Sequence, residues 1–153
     1  REYLSNYYQQ GVHPVLTPLA FDPGHPFPFI SSMSLNLAVV VKYGPYEKNF
    51  ARIKIPDILP RFIPVPEELA GSRYGFVYLE DVIKDNLNEL FPDNNVLDIY
   101  VFRVIRDTDL VIQEDEAGDL LENVDRSLKQ LRYGNVSLLQ VEDQMPEELL
   151  QVL

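Results

Sequence analysis

Proton transfer and phosphoryl chemistry need particular side chains at particular spacings, and this 153-residue chain offers few of them. Its two histidines, His13 and His25, each stand directly before a proline. Two imidazoles cannot assemble a multi-histidine metal site or a histidine-rich acid/base centre. His25, in Asp22-Pro23-Gly24-His25-Pro26, could be oriented as a base by Asp22, although a plain loop role is the stronger reading. His13 has no acidic neighbour in sequence. Asp107 and Asp109, followed by Glu114, Asp115, Glu116 and Asp119, carry enough oxygens for a hard cation, but the spacing lacks the glycine and terminal glutamate of a helix-loop-helix calcium site. They fit a solvated turn and a helix start better, since acids suit the positive end of a helix. Cysteine is absent, which excludes disulfides, thiolate metal sites and cysteine nucleophiles.

Phosphate recognition would require a glycine-rich loop or converging cations. Neither G-x-x-x-x-G-K-[ST] nor G-x-G-x-x-G occurs, and Gly44, Gly71, Gly75, Gly118 and Gly134 are isolated. Arg52 and Lys54 share one face of an expected strand, and Arg61, Arg103 and Arg106 could join them, so these five are the phosphate-contact candidates. The competing reading is ordinary surface pairing with the many acids. Net charge is −11, and it is unevenly placed: residues 1–73 hold seven basic against six acidic residues, while the remainder holds six against eighteen. Such a field repels phosphate polymers at long range, so nucleic acid is not an expected partner, and any polyanion contact must come from a local cluster. No apolar run approaches the length of a membrane span.

The elements that would position these residues follow from periodicity. Tyr3, Leu4, Tyr7 and Tyr8 predict a short helix ended by Gly11. Five prolines between Pro14 and Pro28 then predict a mostly extended stretch to Ser34. That stretch is also apolar, which makes Leu19, Phe21, Phe27 and Phe29 candidates for contact with a neighbouring domain or subunit. Leu35 to Tyr43 reads as a well-buried strand, Gly44-Pro45 as a turn, and Ala51 to Ile55 as its antiparallel partner. Arg61 to Val65, bounded by prolines, fits an edge strand. A helix is expected from Leu79 to Phe91, a central strand covered on both faces from Val96 to Arg106, and an amphipathic helix over Ala117 to Leu131. Leu138 to Val141 reads as a last strand, and Pro146-Glu147-Glu148 as a helix start. The order predicts an α+β (mixed α/β) protein with a mixed sheet of about five strands and packed helices. It is read as one domain over 1–153, with 1–34 as an entry segment and 35–153 as the sheet and helices. The chain begins without a methionine, which suggests a piece of something longer.

Several segments, in order, carry a resemblance: Pro14-Val15-Leu16-Thr17-Pro18-Leu19-Ala20, His25-Pro26-Phe27-Pro28-Phe29-Ile30-Ser31, Phe50-Ala51-Arg52-Ile53-Lys54-Ile55-Pro56, Leu59-Pro60-Arg61-Phe62-Ile63-Pro64, Phe102-Arg103-Val104-Ile105-Arg106-Asp107 and Met145-Pro146-Glu147-Glu148-Leu149-Leu150. Together they resemble the middle, or head, domain of bacterial polyphosphate kinases along essentially the whole chain; His13 departs from the pattern, where a bulky apolar residue is expected. The resemblance implies a parent that reversibly moves the terminal phosphate of ATP to inorganic polyphosphate through a phosphohistidine, with Mg2+. It also implies that the reactive histidines lie in other domains, so no catalytic residue, cofactor or metal falls to this chain. Implied partners are the other domains of the kinase and a second copy, with ATP and polyphosphate bound mainly elsewhere. The implied compartment is the bacterial cytoplasm, with room for a peripheral place at the membrane, and the implied fold is similar to that of small phosphohistidine phosphatases. Against this stand two alternatives, a self-sufficient phosphohistidine phosphatase-like enzyme using His25 and a protein-binding module using the proline-rich segment.

Overall fold

The computed structural model describes residues 1–21, 28–43, 47–92, 95–107 and 134–153. Helix α1, Glu2–Tyr7, leads into a π-helical turn, Tyr8–Val12, and a 3-10 turn, His13–Val15. Gly11 therefore does not end the helical path as expected: Tyr8 and Val12 are fully buried on the wider turn and hold the chain in helical conformation past it. The expected extended stretch begins as strand β1, Pro18–Phe21, which lies at the sheet edge where a proline costs no ladder bond.

Strand β2, Leu35–Tyr43, is apolar on both faces and takes the middle of a five-stranded sheet. Strand β3, Glu47–Lys54, pairs with it on one side, and β6, Asn95–Arg106, on the other. The outer positions go to β1, against β3, and to β7, Val136–Val141, against β6. The α+β class and the five strands are as expected, but every pairing is antiparallel where a mixed sheet was expected. The reason lies in the segment between β3 and β6. It carries a hairpin of its own, β4 (Phe62–Val65) with β5 (Gly75–Tyr78), beside helices α2 (Glu67–Ala70), α3 (Leu79–Asp85) and α4 (Leu87–Leu90). A path of that kind can return the chain to either end of the sheet, so intervening helices do not force parallel pairing.

Three further expectations need correction. The helix over Leu79 to Phe91 is two pieces, because the Asn86 side chain donates to the Val82 carbonyl at 2.8 Å and competes with the backbone ladder there. Arg61 to Val65 is an edge strand of the separate hairpin rather than of the main sheet. Strand β6 is buried only toward its C-terminal half, at Phe102 and Val104, while Leu97 is exposed; β7 pairs with residues 102–106 alone, so the first half of β6 has β2 as its one strand neighbour among the described residues. The amphipathic helix expected over Ala117 to Leu131 lies outside the described residues. The last strand and the final helix, α5 (Glu147–Leu150), fall where expected.

One sheet face packs Leu37, Val39, Val41, Ala51 and Ile53 against Tyr8, Val12, Leu79, Val82 and Ile83. The other packs Ala38, Val40, Phe102 and Val104 against Ile30, Met145 and Leu149. Leu16 and Ile30 are buried too, so the proline-rich entry segment contributes to this chain's own core. The turn after α2 is tight: Gly71 has φ 66°, and a Cβ on Gly75 would stand 2.5 Å from the Ala70 Cβ. Gly75→Ala is therefore expected to lose about 1–3 kcal/mol through overpacking, read as a lower urea midpoint; an unchanged midpoint would show that the hairpin shifts freely.

Candidate functional site

At the end of the sheet where β2 begins and β3 stops, a cleft of about 560 Å³ is lined by Ser31, Ser32 and Ser34, by Lys54 and Asp57, by Arg61 ahead of β4, and by Arg103 of β6. Its floor is fixed by the backbone. Ile55 N–H donates to Leu35 O at 2.9 Å, and Leu79 N–H donates to Arg61 O at 2.8 Å. The serine turn has Met33 in the left-handed region at φ 61°, a conformation that costs a non-glycine residue on the order of 1 kcal/mol. It persists because it is pinned from several sides: Met33 N–H donates to Val104 O at 2.8 Å, Ser34 Oγ donates to Ser31 O at 2.7 Å, and Asn36 Nδ2 donates to Ser34 O at 2.8 Å.

The three cations of the cleft are committed to different degrees. Lys54 Nζ meets Asp57 Oδ2 at 3.0 Å on the open surface, and that hydrogen bond holds the Asp57 carboxyl below its usual range. Arg61 donates from Nε and Nη2 to Glu80 Oε1 at 2.9 and 2.5 Å, and the bond raises the arginine above its ordinary value. Arg103 donates from Nε to the neutral Gln140 Oε1 at 2.8 Å, and among the described residues it has no carboxylate partner. A second depression of about 200 Å³ shares Leu35, Arg61 and Arg103 with the first and continues to Gln140 and Glu142. Glu142 is itself met by Lys84 at 2.8 Å. Cations, hydroxyls and one uncommitted guanidinium along a groove suit the binding of an oxyanion-rich ligand.

Two of the five phosphate-contact candidates stand elsewhere. Arg52 is buried, donates from Nε to Asn36 Oδ1 at 2.9 Å, and is held below its ordinary value by burial; through Asn36 it supports the serine turn from behind. Arg106 ties the entry segment to the end of β6, donating to Ile30 O at 2.8 Å and Gly134 O at 2.9 Å with its guanidinium 4.5 Å from the Phe29 ring centroid. Of the contact candidates, Leu19 and Phe29 are partly exposed; the Phe21 side chain and Phe27 lie outside what the structure describes, as does His25. His13 packs edge-on to Tyr8 at 5.6 Å between ring centroids. Among the described residues no three acidic or histidine side chains converge as metal ligands, and the acids from Asp109 to Asp119 lie outside them. Sequence reasoning missed Asp57, Glu80 and the three serines, and also an exposed cluster of Phe62, Phe76 and Tyr78 with ring centroids 5.2 to 5.7 Å apart. The alternation of Phe76 and Tyr78 after Gly75 was the available signal for that strand.

A family model described as the polyphosphate kinase middle domain matches residues 1–153. Polyphosphate kinases of Aphanizomenon baltica and Prosthecochloris aestuarii are 45% and 44% identical to the chain, each over 97% of it. Those alignments span 41% and 22% of the two relatives, so the chain corresponds to well under half of their length. The crystal structure of polyphosphate kinase from Porphyromonas gingivalis superposes with a TM-score of 0.75 at 27% identity, over 99% of this chain and 20% of that one.

Proposed function

Because this chain belongs to the polyphosphate kinase middle-domain family, we propose that its parent protein reversibly transfers the terminal phosphate of ATP to inorganic polyphosphate, through a phosphohistidine and with Mg2+, and that this segment serves it as a positioning element. The match along residues 1–153 carries the reading, and the relatives named above are all polyphosphate kinases. His13, the histidine within the described residues, is packed against Tyr8 rather than presented to the cleft, which supports a non-catalytic role. The partners of the segment are then the other domains of the kinase and a second copy. Leu19 and Phe29, with Phe21 and Phe27 of the same stretch, offer the apolar contact. On the same family reading the parent is a protein of the bacterial cytoplasm; no helix among the described residues is long and apolar enough to cross a membrane.

Incubated alone with ATP and Mg2+, the 153-residue chain is expected neither to become labelled on histidine nor to extend polyphosphate, while the parent does both. Acid-labile labelling of His13 or His25 at near one phosphate per chain would overturn the non-catalytic role.

A further inference from the structure

We propose that the groove running from the serine turn past Lys54 and over Arg103 toward Gln140 is a binding site for a stretch of linear inorganic polyphosphate. The choice of ligand rests on the proposed function, and the site rests on geometry. Lys54, Arg61 and Arg103 outnumber the two carboxylates that line the groove, Asp57 and Glu142, of which Glu142 is already met by Lys84, so the groove holds a small local excess of positive charge on a chain whose net charge is −11. Among the described residues Arg103 has no carboxylate to displace, and Lys54 holds only a solvent-exposed one, so both can turn to a new anion at little cost. The hydroxyls of Ser31 and Ser32 add donors of the kind that phosphoryl oxygens accept, while that of Ser34 is held by Ser31 O.

An extended ligand fits better than a single phosphate. The two adjoining depressions share Leu35, Arg61 and Arg103, so one groove continues across the guanidinium pair, and no single tetrahedral ion could reach from the serine turn to Gln140. A nucleic acid strand fits less well. Single-strand binding needs aromatic faces for the bases, and the one aromatic residue that lines the groove among the described residues, Phe102, is 1% exposed.

Fluorescence anisotropy of end-labelled linear polyphosphate, titrated with this chain, tests the assignment without any turnover. Arg103→Gln and Lys54→Gln are each expected to weaken binding about tenfold. Lys48→Gln removes the same charge from an exposed site toward the other end of β3 and is expected to leave affinity within about twofold. With Arg103 and Lys54 engaged, log affinity should fall against log salt with a slope of about −1.4, and each groove variant should reduce that slope by about 0.7. Far-UV circular dichroism confirms that each variant is folded, and if Arg103→Gln were not, Lys54→Gln would decide. The site is overturned if the wild-type chain does not bind, if both groove variants bind as wild type, or if binding survives ~1 M salt. Equal competition by orthophosphate at matched phosphorus would overturn the extended ligand, and equal competition by single-stranded RNA of matched charge would overturn polyphosphate as the class. A parent without kinase activity would overturn the proposed function and leave the binding result standing.

Discussion

Arg61→Ala is expected to lower the unfolding free energy by about 2–4 kcal/mol, and Glu80→Gln by no more than about 1 kcal/mol, although the two substitutions break the same ion pair. The asymmetry comes from burial. Glu80 lies in the first turn of α3 between Leu79 and the helix's other buried positions, with its side chain 7% exposed, whereas the Arg61 side chain is 52% exposed. Glu80 Oε1 accepts both arginine bonds, and Oε2 is already buried without a partner among the described residues. Removing Arg61 leaves a carboxylate that water cannot reach, and an uncompensated buried charge is the costly case. Removing the charge from Glu80 leaves a guanidinium that water and the Tyr78 ring, 5.3 Å away, can accommodate. Urea unfolding of the two variants measures the difference; an Arg61→Ala protein within about 1 kcal/mol of wild type would mean that Glu80 finds solvent without its partner. The same asymmetry makes Arg61 unsuitable for probing the groove, because its loss would disturb the fold together with the site.

Strand β3 was legible because Ala51 and Ile53 alternate with Arg52 and Lys54, and β2 because an apolar run of strand length marks a strand buried on both faces; each segment carries those patterns by itself. Strand direction was not legible, because it depends on where a connection delivers the chain, and β6 arrives antiparallel to β2 after a hairpin whose pairing joins Arg61 to Val65, read as a strand, with Gly75–Tyr78, which was not. The cation cluster was half legible. Alternation put Arg52 and Lys54 on one face, but their fates diverge through register: Arg52 is flanked by Leu19 on β1 and Ala38 on β2, while the β1 pairing stops at Ile53, one residue short of Lys54. Hence Arg52 is buried and Lys54 opens onto the cleft. The meeting of Ser34, Lys54, Arg61 and Arg103 joins residues up to 69 positions apart, and such closure is a property of the sheet end rather than of any segment.

Wild-type stability is expected to fall by about 2–3 kcal/mol between pH 10 and 12 through a single buried phenol, and Tyr8→Phe to remove that fall. Tyr8 has no exposed surface, and its hydroxyl has no hydrogen-bond partner among the described residues. Burial and the nearby Glu89 carboxylate push its pKa up to about 12 from an ordinary value of 10.0. Glu89 is kept close by the Gln9 side-chain amide, which donates to it. Above pH 10 the unfolded chain gives up the phenolic proton while the folded chain retains it, so the folded state binds more protons and stability declines as pH rises. The contribution is fully present below pH 10 and is lost by about pH 12. Other tyrosines and lysines titrate in both proteins, so the informative quantity is the difference between the wild-type and Tyr8→Phe unfolding free energies across that window. Near neutral pH the variant should be as stable as wild type or up to about 1 kcal/mol more so, because phenylalanine keeps the packed ring and removes an unpaired buried hydroxyl. Curves that stay parallel from pH 9 to 12 would mean that the hydroxyl reaches water or a partner in the folded protein, and that the π-helical turn carrying Tyr8 is less closely packed than its burial indicates.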